Sequence, residues 1–238
     1  MPELDPFAPP SAAEPSARPA PPAYGVRVEP YAMAWTPRPV APLGLGTATI
    51  ALGAAWTVLQ VLMLGTSFSA ADELVATEAA GGDISMVLTA YDGLGTVQLP
   101  VMVAAFVVGC LWLQGSRRFA EATVPAVRHR RGPVWVWLGW VVPVVSLWFP
   151  FQVVRDVCAG HGVRSPRTLG WWWACWLVAL WFTNQAAFAS SGFGSRDPST
   201  IPFFEMVATP VTVVGFVLWL RIVRAVGAAQ RARLTPEV

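Results

Sequence analysis

The run LGLGTATIALGAAWTVLQVLMLGT, residues 43–66, carries no charged side chain from end to end. As a helix it is long enough to cross a hydrocarbon core of about 30 Å. A helix is also the form in which such a segment satisfies its own backbone hydrogen bonds in lipid. A second uncharged run, LGTVQLPVMVAAFVVGCLWLQ, covers residues 94–114. Its Pro100 is compatible with a membrane helix, where neighbouring groups re-satisfy the freed carbonyl. Residues 169–189 and 201–223 form two more apolar runs. Four such segments predict an all-α integral membrane protein with four transmembrane helices.

Composition agrees with that class. Of the 238 residues, 55% are hydrophobic and only 13% charged, against roughly 25% charged in soluble domains. Mean hydropathy is +0.51. All 16 basic residues are Arg and none is Lys. Together with abundant Ala, Gly, Pro and Val, this points to a GC-rich bacterial genome and hence to a bacterial plasma membrane. A net charge of only +2 gives no support to a nucleic-acid partner. The three cysteines, Cys110, Cys158 and Cys175, form no close pair, which argues against a disulfide framework.

Outside the apolar runs, residues 1–42 hold 12 of the 22 prolines. This segment has too little aliphatic surface to offset the entropy of ordering, so it reads as a disordered Pro/Ala-rich tail. It lacks a charged start followed directly by an apolar core, so it does not read as a secretory signal. Within it RPAPP, residues 18–22, has the composition of a docking ligand for proteins, although a flexible leader is the simpler reading. The membrane domain then covers residues 43–225, and 226–238 form a C-terminal tail. The loop at residues 67–92 contains Asp72, Glu73, Glu78, Asp83 and Asp92 and no Arg. Ser69 and Asp72 have capping-box spacing, so part of this loop is expected to be helical and to extend a span.

A fifth apolar stretch, WLGWVVPVVSLWFPFQVVRDV at residues 137–157, is broken by Pro143 and Pro150. Pro143 forces Val142 out of helical space. The helix before it covers only about 14 Å, half a bilayer core. Pro150 suits the first turn of a second short helix that Gly160 stops. The expectation is a re-entrant wedge and interfacial helix over 134–159, with Gln152, Arg155 and Asp156 toward water.

Arginine placement favours that reading. If the stretch returns, the cytoplasm receives Arg18, Arg27, Arg38, Arg117, Arg118, Arg128, Arg130, Arg131, Arg155, Arg164, Arg167, Arg221, Arg224, Arg231 and Arg233. Only Arg196 is then outside. If it crosses, the split becomes nine inside and seven outside. The positive-inside rule selects the first arrangement, with both termini cytoplasmic. Trp112, Trp135, Trp137, Trp171, Trp172, Trp173 and Trp219 then fall near the cytoplasmic ends of their segments, as an interfacial aromatic belt would. A tryptophan-lined pocket is the sharper alternative.

The stretch GWVVPVVSLWFPFQVVRDV, followed by a basic linker and LGWWWACWLVALW, resembles the actinobacterial membrane proteins grouped as domain of unknown function 4328. Trp140, Pro143, Leu147, Pro150 and Arg155 match that family's pattern over roughly residues 45–225. Ser146 stands where the family usually has Asn. The resemblance implies fold and membrane localisation and no activity. In it Pro143 and Pro150 are expected to set a turn that Trp140 and Trp148 pack.

Reactive chemistry is sparse. Cys158, His161 and His129 supply one soft-ligand pair and a third group, short of the two pairs typical of structural zinc, and neither histidine lies in a span to hold haem. No metal or cofactor is expected. Ser146 has no nucleophile-elbow motif around it, and an enzyme is the less favoured class. Glu205, about one turn inside the fourth span, is the most informative ionisable residue. Gln60, Gln98, Asn184 and Gln185 are its candidate polar partners from other spans. The leading functional expectation is a non-catalytic interaction or scaffold module whose partners are the lipid bilayer and, through the Pro-rich tail, other membrane or cytoplasmic proteins. The alternative is a small transporter or channel component moving a solute or proton through the bundle.

Overall fold

A computed structural model describes residues 39–124, 126, 127, 129–164, 166–192 and 196–235. All but the last four residues of the Pro-rich tail, and with them Arg18, Arg27 and Arg38, lie outside the described residues, as does Arg128.

The described chain is helical, with no strand among these residues. The helices are α1 (Leu43–Ala79), α2 (Ala90–Thr123), α3 (Trp135–Val141), α4 (Phe149–Gly160), α5 (Pro166–Ser190) and α6 (Ile201–Leu234). Short 3-10 turns occupy Ile84–Met86, Val145–Leu147 and Pro198–Thr200. Three helices, α1, α2 and α6, are long and apolar enough to cross a membrane. At 37 residues α1 reaches about 55 Å, well beyond a hydrocarbon core. Its last turns are the helical extension expected in the acidic loop. The Ser69 capping box does not form, because Ser69 donates back to the Thr66 carbonyl within an unbroken helix. The box lies instead at Thr89 and Asp92, whose side chains and backbone N–H groups bond reciprocally at the start of α2.

α5 is a continuous 25-residue helix but is not among the three. Its indoles and its Thr183, Asn184 and Gln185 dilute its hydropathy. α6 runs to Leu234, so most of the stretch read as a C-terminal tail is helix.

α1 packs against α2 on one side and α6 on the other, and α6 packs against α5. Two cores result. One joins Met63, Ala70 and Leu74 of α1, Tyr91 of α2, Ala186 and Ala189 of α5 and Ile201 of α6. The other, at the opposite end, joins Trp112 and Leu113 of α2, Val153, Val154 and Val157 of α4, Trp172 and Trp173 of α5, and Val223 and Val226 of α6.

Three tryptophans read as belt residues prove to be core. Trp112, Trp172 and Trp173 are buried. Trp219 stacks on Trp172 with centroids 5.0 Å apart and meets Trp112 edge-on at 5.5 Å. The physical reason is that each indole sits on the inward stripe of its helix, where large apolar area is worth more against other rings than against headgroups. Trp171, one residue away in α5, faces outward at 67% exposure.

α3 and α4 form a short hairpin. α3 ends at Val141, and Val142 is extended (φ −70°, ψ 118°), as a residue before proline must be. Val144 then takes φ 66°, ψ −53°, and Val145 N–H donates to the Pro143 carbonyl at 2.7 Å. This is the rare γ-turn of positive φ, carried by a β-branched residue that disfavours it. Pro150 lies in the first turn of α4, which ends at Gly160. Both limbs lie at one end of the bundle. Arg130 N–H donates to Asp156 Oδ2 at 3.0 Å, and the Arg131 guanidinium lies 3.9 Å over the Phe149 ring and donates to Gln152 Oε1 at 2.8 Å.

Candidate functional site

Glu205 lies one turn into α6. Ile201, Glu205, Ala208 and Thr209 recur at helical spacing and share the buried face, which carries the carboxylate inward. On α1 a similar stripe of Gln60, Met63, Ser67, Ala71 and Leu74 brings Gln60 opposite it. Tyr91 is the second residue of α2, where the Thr89 box fixes the start of the helix.

Glu205 is 1% exposed, and both of its carboxyl oxygens have donors. Tyr91 Oη donates to Oε1 at 2.7 Å and Gln60 Nε2 to Oε2 at 2.5 Å. Gln98 Nε2 donates to Gln60 Oε1 at 3.1 Å. Thr209 Oγ1 donates to the Gln60 carbonyl at 3.4 Å. One knot therefore ties α1, α2 and α6. Both donors to Glu205 are neutral, and among the described residues no Arg pairs with it. Such a group can hold three helices together or accept and release a proton or small cation.

Of the amides expected beside Glu205, Gln60 and Gln98 are there and two are not. Asn184 is exposed and donates to the Leu180 carbonyl. Gln185 is buried but accepts from Arg196 instead. Both lie on α5, which packs chiefly against α6, whereas the Glu205 carboxylate faces α1 and α2. Tyr91 was not anticipated. A tyrosine at a loop-to-span junction looks like an interfacial aromatic, and only its pairing with Glu205 separates the two roles.

A second knot occupies the end with the hairpin. Gln230 of α6, fully buried, has Nε2 at 3.0 Å from Ser116 Oγ and 3.2 Å from His161 Nε2. His161 Nδ1 lies 2.9 Å from the Val157 carbonyl, which can only accept. The ring is thus the neutral Nδ1–H tautomer, with Nε2 accepting from the amide. Arg233 donates to the Gly160 carbonyl at 3.0 Å and to Thr123 Oγ1 at 3.2 Å, and so covers an orphan carbonyl at the end of α4. Nearby, Glu121 pairs with Arg117 at 2.9 Å and lies 3.0 Å from His129 Nδ1. Burial pushes both histidines below their usual range, assisted at His129 by Arg117 and at His161 by Arg233. Gln230 and Ser116 escaped the sequence reading because isolated polar residues at a helix end look solvated.

Cys158, His161 and His129 do not form a ligand set. No three of the described His, Cys, Asp and Glu residues are placed to hold a metal.

The residues of the proline-broken motif take distinct places. Trp140 meets the rings of Trp173 and Trp176 edge-on at 6.3 Å and 5.9 Å. Pro143 begins the γ-turn and Pro150 is buried in the first turn of α4. The Leu147 carbonyl accepts from Trp173 Nε1 at 2.8 Å, so α5 satisfies a backbone group that the broken helix leaves free. Ser146 is half-buried in the 3-10 turn, and its N–H donates to the Val142 carbonyl. Arg155 is half-exposed, its guanidinium 5.7 Å over Phe151 and 3.9 Å from Asp156. Trp148 does less packing than expected, remaining 42% exposed.

The outer wall is apolar. One shallow depression between α1 and α6 is lined by Ala54, Val58, Val61, Leu62 and Phe216. Another follows Leu99, Val103 and Val107 along α2.

A family model described as Domain of unknown function (DUF4328) matches residues 72–226. No curated protein and no solved structure matches the chain.

Proposed function

The chain belongs to the DUF4328 family, and from that premise we propose that it is a multi-pass protein of a bacterial plasma membrane acting, without catalysis, as an interaction module. In this reading α1, α2, α5 and α6 are the four crossings and the α3–α4 hairpin is a re-entrant wedge. α5 would extend about 37 Å, sufficient for a crossing. Charge asymmetry supports the orientation. Arg117, Arg118, Arg130, Arg131, Arg155, Arg164, Arg167, Arg221, Arg224, Arg231 and Arg233 belong to the half of the chain's helix ends and linkers around the hairpin. Asp72, Glu73, Glu78, Asp83, Asp92 and Asp197 belong to the opposite ends, with Arg196. The positive-inside rule then makes the hairpin end cytoplasmic, together with both termini.

The observation that carries the functional part is how the hairpin is held. Trp173, Arg233 and Gln230 bind its Leu147 and Gly160 carbonyls and its His161 ring, and Arg131, in the linker before α3, holds Phe149 and Gln152 of α4. Its outer residues Leu138, Val141, Val144 and Leu147 stay exposed, as does Ala159 on α4. A fixed scaffold presenting an uncovered face fits docking better than turnover. The Pro-rich tail would add a second contact to membrane or cytoplasmic proteins.

The test is purification of the tagged chain from its own membrane, beside a chain lacking residues 1–40 and an Ala159→Arg variant. Loss of a reproducible partner in either variant, with membrane insertion intact, supports the module. An unchanged partner set in both would overturn it. Orientation is read with an impermeant maleimide on a cysteine-free chain carrying Arg164→Cys, because the native Cys158 is buried. Labelling only in inverted vesicles agrees with the wedge, and labelling in intact cells refutes it.

Glu205 favours a second reading, a small transporter or channel component. Buried ionisable groups inside membrane bundles mark proton and ion paths. Glu205→Gln would then abolish a proton-driven flux in vesicles. Absence of flux under any imposed gradient removes this reading.

A further inference from the structure

We propose that Glu205 is a proton-binding site whose carboxylate and acid forms are both hydrogen-bonded, interchanged by a joint turn of the Gln60 and Gln98 amides. The proposal rests on the second reading above, in which Glu205 lies on an ion path, and narrows the ion to a proton.

The two amides can exchange roles without moving the backbone. A glutamine carries an oxygen acceptor and a nitrogen donor of nearly equal size, and turning its last torsion swaps their places. With Glu205 as carboxylate, Gln60 Nε2 donates to Oε2 and Gln98 Nε2 donates to Gln60 Oε1. With a proton on Oε2 the direction of both bonds reverses. The acid O–H then donates to Gln60 Oε1, and Gln60 Nε2 donates to Gln98 Oε1. Tyr91 Oη donates to Oε1 in either form. The proton comes from water and returns to it, and no bond but the O–H is made or broken.

The spacing suits both forms. The contact between Gln60 and Glu205 measures 2.5 Å. N–H···O bonds begin at about 2.7 Å and O–H···O bonds at about 2.5 Å, so this contact matches the acid form at least as well as the carboxylate. The 3.1 Å between Gln60 and Gln98 fits an N–H···O bond in either direction. Thr209 Oγ1 donates to the Gln60 backbone carbonyl, which leaves the turn to the side chain. Gln98 is half-buried, so the reversal ends on a partly exposed amide and strands no buried donor.

No fixed charge competes for Glu205. On α1 it meets the neutral Gln60, and Asp72 and Glu73 of that helix are exposed. On α2 Tyr91 is the titratable group that touches it, while Asp92 is bound to Thr89. Beyond α5, Arg196 donates to Gln185 and Asp197 accepts from Ser199. Among the described residues the carboxylate therefore has no counter-charge, and a proton supplies one without adding bulk. A hard cation would need several oxygens gathered around it in place of the two donors.

The experiment uses the full chain in phosphatidylglycerol and phosphatidylcholine vesicles, perfused alternately with acidic and alkaline buffer in an infrared cell. Subtracting the spectra of Glu205→Gln isolates the Glu205 carboxyl. Acid should raise a carboxylic-acid C=O band and, in step with it, shift a side-chain amide C=O band that Gln60→Leu abolishes. Tyr91→Phe removes a donor that favours the charged form more than the neutral one. Its acid band should persist to about tenfold lower proton concentration. Absence of a Glu205 acid band in wild type overturns the proposal, as does an acid band with no amide shift. An unmoved midpoint in Tyr91→Phe, or loss of the band on adding sodium at constant pH, overturns it too. Flux measured in the same vesicles separates the two readings. A Glu205 band with no flux under any gradient sinks transport and leaves the proton site, whereas flux without a Glu205 band sinks the site and leaves transport.

Discussion

Tyr91 Oη donates to Glu205 Oε1 at 2.7 Å, joining the first turn of α2 to the first turn of α6. The two residues are 114 positions apart and both are buried. Tyr91→Phe keeps the ring and removes the donor, leaving Glu205 with Gln60 alone. A buried acceptor deprived of a partner costs about 1–3 kcal/mol. Thermal unfolding of the purified chain in detergent should show a loss of that size. Glu205→Leu, which strands both donors, should cost more, and a Tyr91→Phe melt equal to wild type would show that the knot is not a stability element.

Val144 holds φ 66° on a β-branched residue at the tip of the hairpin. Such strain is worth about 1–3 kcal/mol, and glycine relieves it while losing more chain entropy on folding. Val144→Gly should therefore raise stability by about 1 kcal/mol. Val144→Ala should change it little, because alanine shares the positive-φ penalty. Comparing their melts separates backbone strain from the loss of the isopropyl group.

Trp173→Phe retains an aromatic ring against Trp140 but removes the donor to the Leu147 carbonyl. The orphaned carbonyl should cost about 1–3 kcal/mol. Hydrogen exchange should speed up in residues 142–149 and not in α1. Uniform acceleration across the chain would mean that Trp173 acts through the general core instead.

Burial holds His161 and His129 below the usual histidine range. Their folded-state values lie below the unfolded one, so the unfolded chain binds protons more readily as pH falls. The stability they contribute is present above about pH 6.5 and is lost as pH drops through the folded values. Protonated His161 would also turn its Nε2–H toward the Gln230 amide donor. The unfolding midpoint should fall from about pH 6.5 downward in wild type, and this slope should flatten in a His129→Gln, His161→Gln double variant. An unchanged slope would assign the acid sensitivity to other groups.

Much of the architecture follows from local rules that a sequence states by itself. Apolar runs long enough for a bilayer, two of them uncharged, become α1, α2 and α6, because a backbone in lipid has few other ways to pair its polar groups. Pro143 and Pro150 dictate where α3 stops and α4 starts, since each proline constrains its own φ and the residue before it. The family model matches residues 72–226, which include that stretch. The tertiary structure decided what depends on helical phase and on which helices are neighbours. It brought Gln60 and Gln98 to Glu205, sent Gln185 to Arg196 and left Asn184 outside. It found Tyr91 and Gln230 as partners across more than a hundred residues, and it turned Trp112, Trp172 and Trp173 from an expected belt into a core. A charge or a proline acts on its immediate surroundings and is legible locally. A buried hydrogen bond between distant helices exists only once packing has chosen which faces meet.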